Sequence, residues 1–349
     1  MLAERFTAQL LSGPPATHPA AAATRLLAVQ AQDLRGMCLA IRARTENVSA
    51  ADVDRALSAE RSLVVTWLNR GTLHLVGRED YPWLHALTAP RWVTGNARRL
   101  SEEGLSAGAA DRGVALIERS LADAGPLTRS QLRERLDGAG VRTRGQALIA
   151  LLALVCLRGL AVRGPMAGQE QAYVLVRDWL QGVPDRIDRD AALAELARRY
   201  LAGHGPAGDR DLARWSGLPL RDARAGLGAI AVELVERDDG LLDLAGRSAA
   251  AEDWSRPRLL GAYEPVLLGW TSRVQLLAPH EAAVVSGGIF RPFALVRGRA
   301  TGIWGMSGGA VELKPFGRLD PADAAALEVD AADVVRYLDA QPPPGGPRR

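Results

Sequence analysis

The chain has 349 residues, 48% of them hydrophobic, and a formal charge of +3. That is apolar material for several small cores and, at this length, for more than one domain. No run reaches the roughly 18 apolar residues of a membrane helix, the most apolar stretch, Ala147–Leu157, ending at Arg158, and Glu4 and Arg5 interrupt the N-terminus before any signal-peptide pattern; a cytoplasmic protein without membrane contact is expected.

In chain order, Ser49 is placed to cap a helix over Ala50–Leu57, a further helix carries Trp67, and Thr72–Val76 reads as a strand entered through the turn Arg70-Gly71. Arg91 to Arg99 interleaves basic and aromatic residues, as phosphate-contacting segments do; an exposed loop is the plain alternative. The next segment is clearer. A helix over Arg112–Ala124 stops at Gly125-Pro126, Thr128 caps Arg129–Leu136, a strongly apolar helix covers Gly145–Arg158, and β-like runs follow at Leu160–Arg163 and Ala172–Val176. The order repeats with helices at Ala191–Leu201, Asp209–Trp215 and Leu220–Ala231. A hairpin over Val232–Glu236 and Leu241–Leu244 then turns at Asp239-Gly240. Helices followed by a hairpin, seen three times at a period of roughly 60–70 residues, suggest tandem winged helix-turn-helix units.

From Leu259 the character changes to short β-like runs: Pro265–Trp270, Ala283–Val285, Pro292–Val296, Ala300–Trp304 and Ala310–Pro315. Arg297-Gly298-Arg299 forms a tight turn, and a last helix over Asp320–Leu338 precedes a proline-rich tail. The fold class is α+β. The expected division is 1–105, 106–185 and 186–250 as winged units and 251–349 as a β-rich domain.

Few side chains announce chemistry. Cys38 and Cys156 sit in apolar helical patterns and read as inert core thiols. The histidines have no zinc-like spacing, so neither a metal nor another cofactor is inferred. Acids concentrate after residue 317, which leaves the rest of the chain with a basic surplus compatible with nucleic acid. Lys314 is the only lysine.

Gln30 and Gln32 would point about 200° apart on a helix, so they share a cleft only at a helix end or in extended backbone. Yet Val29-Gln30-Ala31-Gln32-Asp33, Trp67-Leu68-Asn69-Arg70-Gly71-Thr72-Leu73-His74-Leu75-Val76 and Leu267-Leu268-Gly269-Trp270 stand in a telling order. With Gly288-Ile289-Phe290-Arg291-Pro292, Leu295-Val296-Arg297-Gly298 and Gly302-Ile303-Trp304, they make the chain resemble the AlkZ/YcaQ family of winged-helix DNA glycosylases. The resemblance implies three tandem winged helices in a C-shape with a β-domain, binding duplex DNA on the concave face. It also implies excision of N7-alkylated purines and, in the AlkZ branch, unhooking of interstrand crosslinks.

The family's Q-Φ-Q motif falls on Gln30 and Gln32. The YcaQ branch has aspartate where Gln32 stands, and Asp33 is one residue too late for that pattern. An amide does not titrate near neutral pH, but an N7-alkylated purine is cationic and leaves without protonation. Placing water and stabilising an oxocarbenium-like sugar is work that carbonyl dipoles can do. Expected DNA contacts are Arg70, Thr72, His74, Arg91, Arg98, Arg99, Arg297 and Arg299; for His74, a structural role in the wing is the plainer reading. With only Lys314 or the N-terminal amine available for a Schiff base, a monofunctional enzyme leaving an abasic site is expected, acting as a monomer. A non-catalytic winged-helix regulator is the rival reading, and a hydrolase with a carboxylate or metal site a third.

Overall fold

The computed structural model describes residues 1–168, 170–181 and 188–339, and shows a mixed α+β chain. It divides into two compact units: Met1–Val53 together with the chain from Leu193 onward, and Asp54–Ala192. No helix among the described residues is long and apolar enough to cross a membrane.

In the unit Asp54–Ala192, strands run in the order Leu73–Gly77, Leu63–Trp67, Ala161–Ala167, Glu170–Leu175, Leu127–Thr128, every pairing antiparallel. Two hairpins meet at Val65 opposite Arg163. Thr128 caps Arg129–Gly138 in a reciprocal box: its hydroxyl accepts from the Gln131 amide at 3.2 Å, and the Gln131 side chain accepts from the Thr128 amide at 2.8 Å. Helix Ala147–Leu157 is buried nearly all round, as its uniform apolarity requires. Cys156 lies in it, and burial pushes the thiol up to about 12, which suppresses the reactive thiolate.

Two expectations fail in this unit. Trp67 does not lie in a helix but ends strand Leu63–Trp67. That strand is buried on both faces, so its Leu-Val-Val-Thr-Trp run lacks the alternation that marks a half-exposed strand. Arg91 to Arg99 is not a loop, since Pro90 starts a helix over Pro90–Glu102.

In the other unit, helices Pro19–Leu26 and Leu34–Arg42 flank the two-residue strand Val29–Gln30. Later come the helix Arg189–His204, whose residues from Leu193 belong to this unit, helices Asp209–Ser216 and Leu220–Ala229, then the hairpin Leu234–Glu236 with Leu242–Leu244, turned at Gly240. The β-rich part is a four-stranded antiparallel sheet ordered Ala310–Pro315, Arg299–Ser307, Phe293–Val296, Arg258–Leu260, followed by helix Pro321–Asp339. Leu39, Leu259, Val296, Trp304, Leu327 and Val334 form one core among helix Leu34–Arg42, this sheet and the last helix.

The turn at Arg297-Gly298 is as expected: φ is 49° and 75°, with Val296 opposite Arg299, the pattern of a two-residue I′ loop. The strand expected at Pro265–Trp270 is instead a helical turn, Pro265–Leu268, with proline at its start and the Glu264 side chain accepting from the Val266 amide. Ala283–Val285 is likewise the end of a helical turn, Glu281–Val284, leading into strand Val285–Ser286. The tail from residue 340 lies outside the described residues.

Candidate active site

Helix Pro19–Leu26 stops at Leu27, whose φ of 64° turns the chain into extended backbone. In an extended segment side chains two apart point to one side, and this brings Gln30 and Gln32 together. The Gln30 Nε2 donates to the Gln32 Oε1. Val29 and Ala31 are fully buried, pinning the segment from its other side. Gln30 is 6% exposed, while Gln32 is open to solvent. The pair is therefore half sunk, with one amide fixed by protein and the other offered outward.

Asp33 has another task. It is the N-cap of helix Leu34–Arg42, its Oδ1 accepting from the Gly36 amide at 2.5 Å. A carboxylate one residue after Gln32 thus starts a helix.

That helix is held closely. A Cβ on Gly36 would lie 2.3 Å from the Ala262 carbonyl oxygen, and one on Gly261 would lie 2.9 Å from the Leu39 Cβ, so backbone meets backbone there. At its far end Arg42 forks onto Asp330 at 2.9 Å and Asp333 at 2.7 Å and donates to the Leu259 carbonyl at 3.0 Å. Arg44, fully buried, donates to the Ala40 carbonyl, to Gln9 and to Glu264 at 2.5 Å. These anchors were not legible in the sequence. Their carboxylate partners lie more than two hundred residues away, and neither arginine stands in a local motif.

In the unit Asp54–Ala192, Asn69–Gly71 forms a 3-10 turn in which Arg70 and Gly71 both take positive φ. Glycine is needed at 71 because a Cβ would press 3.2 Å from the Trp92 ring as well as straining the backbone. The Thr72 hydroxyl donates to the Asn69 carbonyl at 3.2 Å. His74 is 2% exposed; its Nδ1 donates to the Thr72 carbonyl at 3.0 Å, leaving Nε2 to accept from Arg70 at 3.4 Å. Burial, with the Arg70 charge added, lowers its pKa to about 3, so the ring is neutral. Arg70, Arg98 and Arg99 line one cleft of about 450 Å³ with Trp67, Gly71 and Trp92. Arg91 is outside that lining and sits 5.6 Å from the Trp92 ring centre. The tryptophan walls escaped sequence reasoning because they come from a strand and a helix with no shared period.

In the other unit, Arg297 reaches Asp320 at 3.0 Å and Asp323 at 3.1 Å, while Arg299 is exposed at the start of its strand. Among the described residues no three His, Cys, Asp or Glu side chains gather as a metal ion would need.

The family model described as "DNA glycosylase AlkZ-like" matches residues 23–337. The chain is similar to "Interstrand DNA cross-link repair glycosylase" of Streptomyces sahachiroi, 29% identical over 351 residues and 92% of each chain. It is similar, too, to the solved structure "Streptomyces sahachiroi DNA glycosylase AlkZ", at TM-score 0.77 and 25% identity over 96% of this chain and 95% of that one. Fold and match define the class, a DNA glycosylase. More narrowly, the chain belongs to the AlkZ-like DNA glycosylase family.

Proposed function

We propose that this enzyme excises N7-alkylated purines from duplex DNA, interstrand crosslinks through such bases included, by water attack on the anomeric carbon, leaving an abasic site. One observation carries the reading: two amides, one buried and one exposed, hydrogen-bonded to each other. The bond from Gln30 orients the Gln32 carbonyl, whose second lone pair remains for a water or for the electron-poor sugar. A cationic base needs no acid to leave, so two amides suffice where a neutral base would require a proton donor. The strand is left uncut after base loss, since the amines that could form an adduct are few, Lys314 and the N-terminal amine.

The DNA-binding frame we propose is three tandem winged helices, 1–105, 106–185 and 186–250, followed by the β-rich part 251–349. Duplex phosphates meet Arg70, Arg98 and Arg99 in their shared cleft, and Arg91 in the same unit; Arg297 and Arg299, in the other unit, are further phosphate contacts. Thr72 and His74 act by holding the Arg70 turn. A monomer is sufficient for this assignment.

The test is a duplex carrying one N7-methylguanine, incubated without added metal, with abasic sites revealed by alkali. Gln30→Ala and Gln32→Ala are each expected to slow excision roughly 10²–10³-fold while duplex binding persists. Cleavage without alkali would overturn the monofunctional assignment. Tight binding with no excision of a methyl, bulky or crosslinked N7 adduct would transfer the reading to a non-catalytic winged-helix regulator.

A further inference from the structure

A second polar cavity, of about 380 Å³, opens between the C-terminal end of helix Leu34–Arg42, strand Arg258–Leu260 and the last helix. That volume falls in the range of small-ligand sites, roughly 300–1,000 Å³. Its charges are unevenly matched. Arg42 and Arg336 are ion-paired with Asp330 and Asp333, the latter taking the Arg336 Nε at 2.7 Å. Asp330 also accepts from the Leu259 amide, and Asp253 from the Gly13 amide. Glu46 is exposed on the rim.

Arg258 is left over. It is only 9% exposed, and its one hydrogen bond among the described residues runs from Nε to the Arg256 carbonyl at 3.4 Å. Its two terminal amino groups have no acceptor there, and the exposed Arg256 guanidinium beside it has none either. Burial, then the Arg256 charge, lowers the Arg258 pKa to about 10, so it is still a cation at neutral pH. The Asp330 and Asp253 charges offset part of that burial without hydrogen-bonding to its amino groups, and a guanidinium fork without acceptors fits an oxyanion with two parallel hydrogen bonds.

We propose that Arg256 and Arg258 form an anion-binding site in this cavity, taking a phosphate-type oxyanion from either a DNA backbone phosphodiester or a free phosphate. The site is distinct from the glutamine pair, and neither readout below uses base excision, so it stands or falls apart from the proposed reaction.

Thermal unfolding of the full chain is followed while inorganic phosphate replaces chloride at constant ionic strength. Phosphate stabilises most proteins by exclusion from their surface, so the readout is the difference between wild type and variants. Wild type is expected to gain a saturable rise in Tm. Arg258→Gln is expected to lose it, Arg258→Lys to keep part of it, and Arg256→Gln, an exposed change with little consequence for folding, to weaken phosphate binding about tenfold. Undamaged duplex binding against salt identifies the source. In Arg256→Gln a fall of about one in the slope of log K against log salt marks a backbone phosphate, and an unchanged slope marks a free anion. An equal Tm response in wild type and Arg256→Gln would overturn the proposal.

Discussion

Helix Ala147–Leu157 and helix Leu34–Arg42 have similar lengths, 11 and 9 residues, yet are held by opposite means. The first is apolar on every side and packs mainly by contact, Leu151 lying so near Gly113 that a Cβ there would be 3.1 Å away; the bonds it accepts from Asn96 at the Ala150 carbonyl and from His85 at the Cys156 carbonyl are neutral, 2.9 Å each. The second carries the glutamine pair at its head and is tied at its tail by charge: Arg42 to two aspartates, Arg44 to Glu264 in full burial. Apolar burial tolerates small shifts, because dispersion and area terms vary smoothly with position. A buried fork does not, so it fixes the helix, and with it Gln32, to one register. The difference teaches that the segment proposed to do chemistry is placed by directional bonds between charged groups.

The largest expected effect breaks the charged anchor. Glu264→Ala leaves Arg44 a buried cation without its partner, which costs roughly 3–5 kcal/mol, whereas Leu151→Ala costs roughly 2–5 kcal/mol through lost contacts and a cavity. The two losses overlap in size but differ in rescue. Arg44→Met with Glu264→Leu is expected to recover at least about half of the first loss, measured by urea unfolding. No recovery in the double variant would mean that the Gln9 and Ala40 contacts of Arg44, rather than the ion pair, anchor the helix.

What the sequence made legible divides along the same line. Signals written within a few residues were read: the Thr128 cap, the Gly240 hairpin, the Arg297-Gly298 turn and the run at Ala147–Leu157. Gln30 and Gln32 could be nominated from the family pattern. Their meeting depended on extended backbone, which follows from the Leu27 turn and the Asp33 cap. Strand Leu63–Trp67 was misread because burial on both faces erases its period, and Pro265–Leu268 because one helical turn is too short to show one. Arg42, Arg44 and Arg258 stayed invisible, since their surroundings come from distant parts of the chain.

An intermediate effect compares the units by proton. His74 lies in one and His204 in the other; burial, the largest cause for each, lowers both to about 3. Between that value and the unfolded-chain value of about 6.5, the unfolded state binds protons the folded state refuses, so stability rises with pH. The contribution is fully present above about pH 6.5 and lost as pH falls towards 3, by up to ~1.4 kcal/mol per pH unit for each ring. His74→Gln and His204→Gln should each flatten the slope by one such share in unfolding measured from pH 7 to 4. A slope unchanged in His74→Gln would show that the ring charges in the fold, against its 2% exposure.

The smallest effect sharpens the contrast. Arg98 and Glu102 make the same chemical pair as Arg44 and Glu264, at 3.0 Å, but are 83% and 63% exposed. Water already solvates both groups, so Glu102→Gln should change stability by less than about 0.5 kcal/mol. The same substitution removes a negative charge from the cleft that holds Arg70, Arg98 and Arg99. Duplex binding at low salt should therefore tighten, and the gain should shrink as added salt screens the cleft. Weaker binding in Glu102→Gln would mean that Glu102 positions Arg98 for phosphate and does not compete with it. Stability would stay flat in either case, because the groups were never taken out of water.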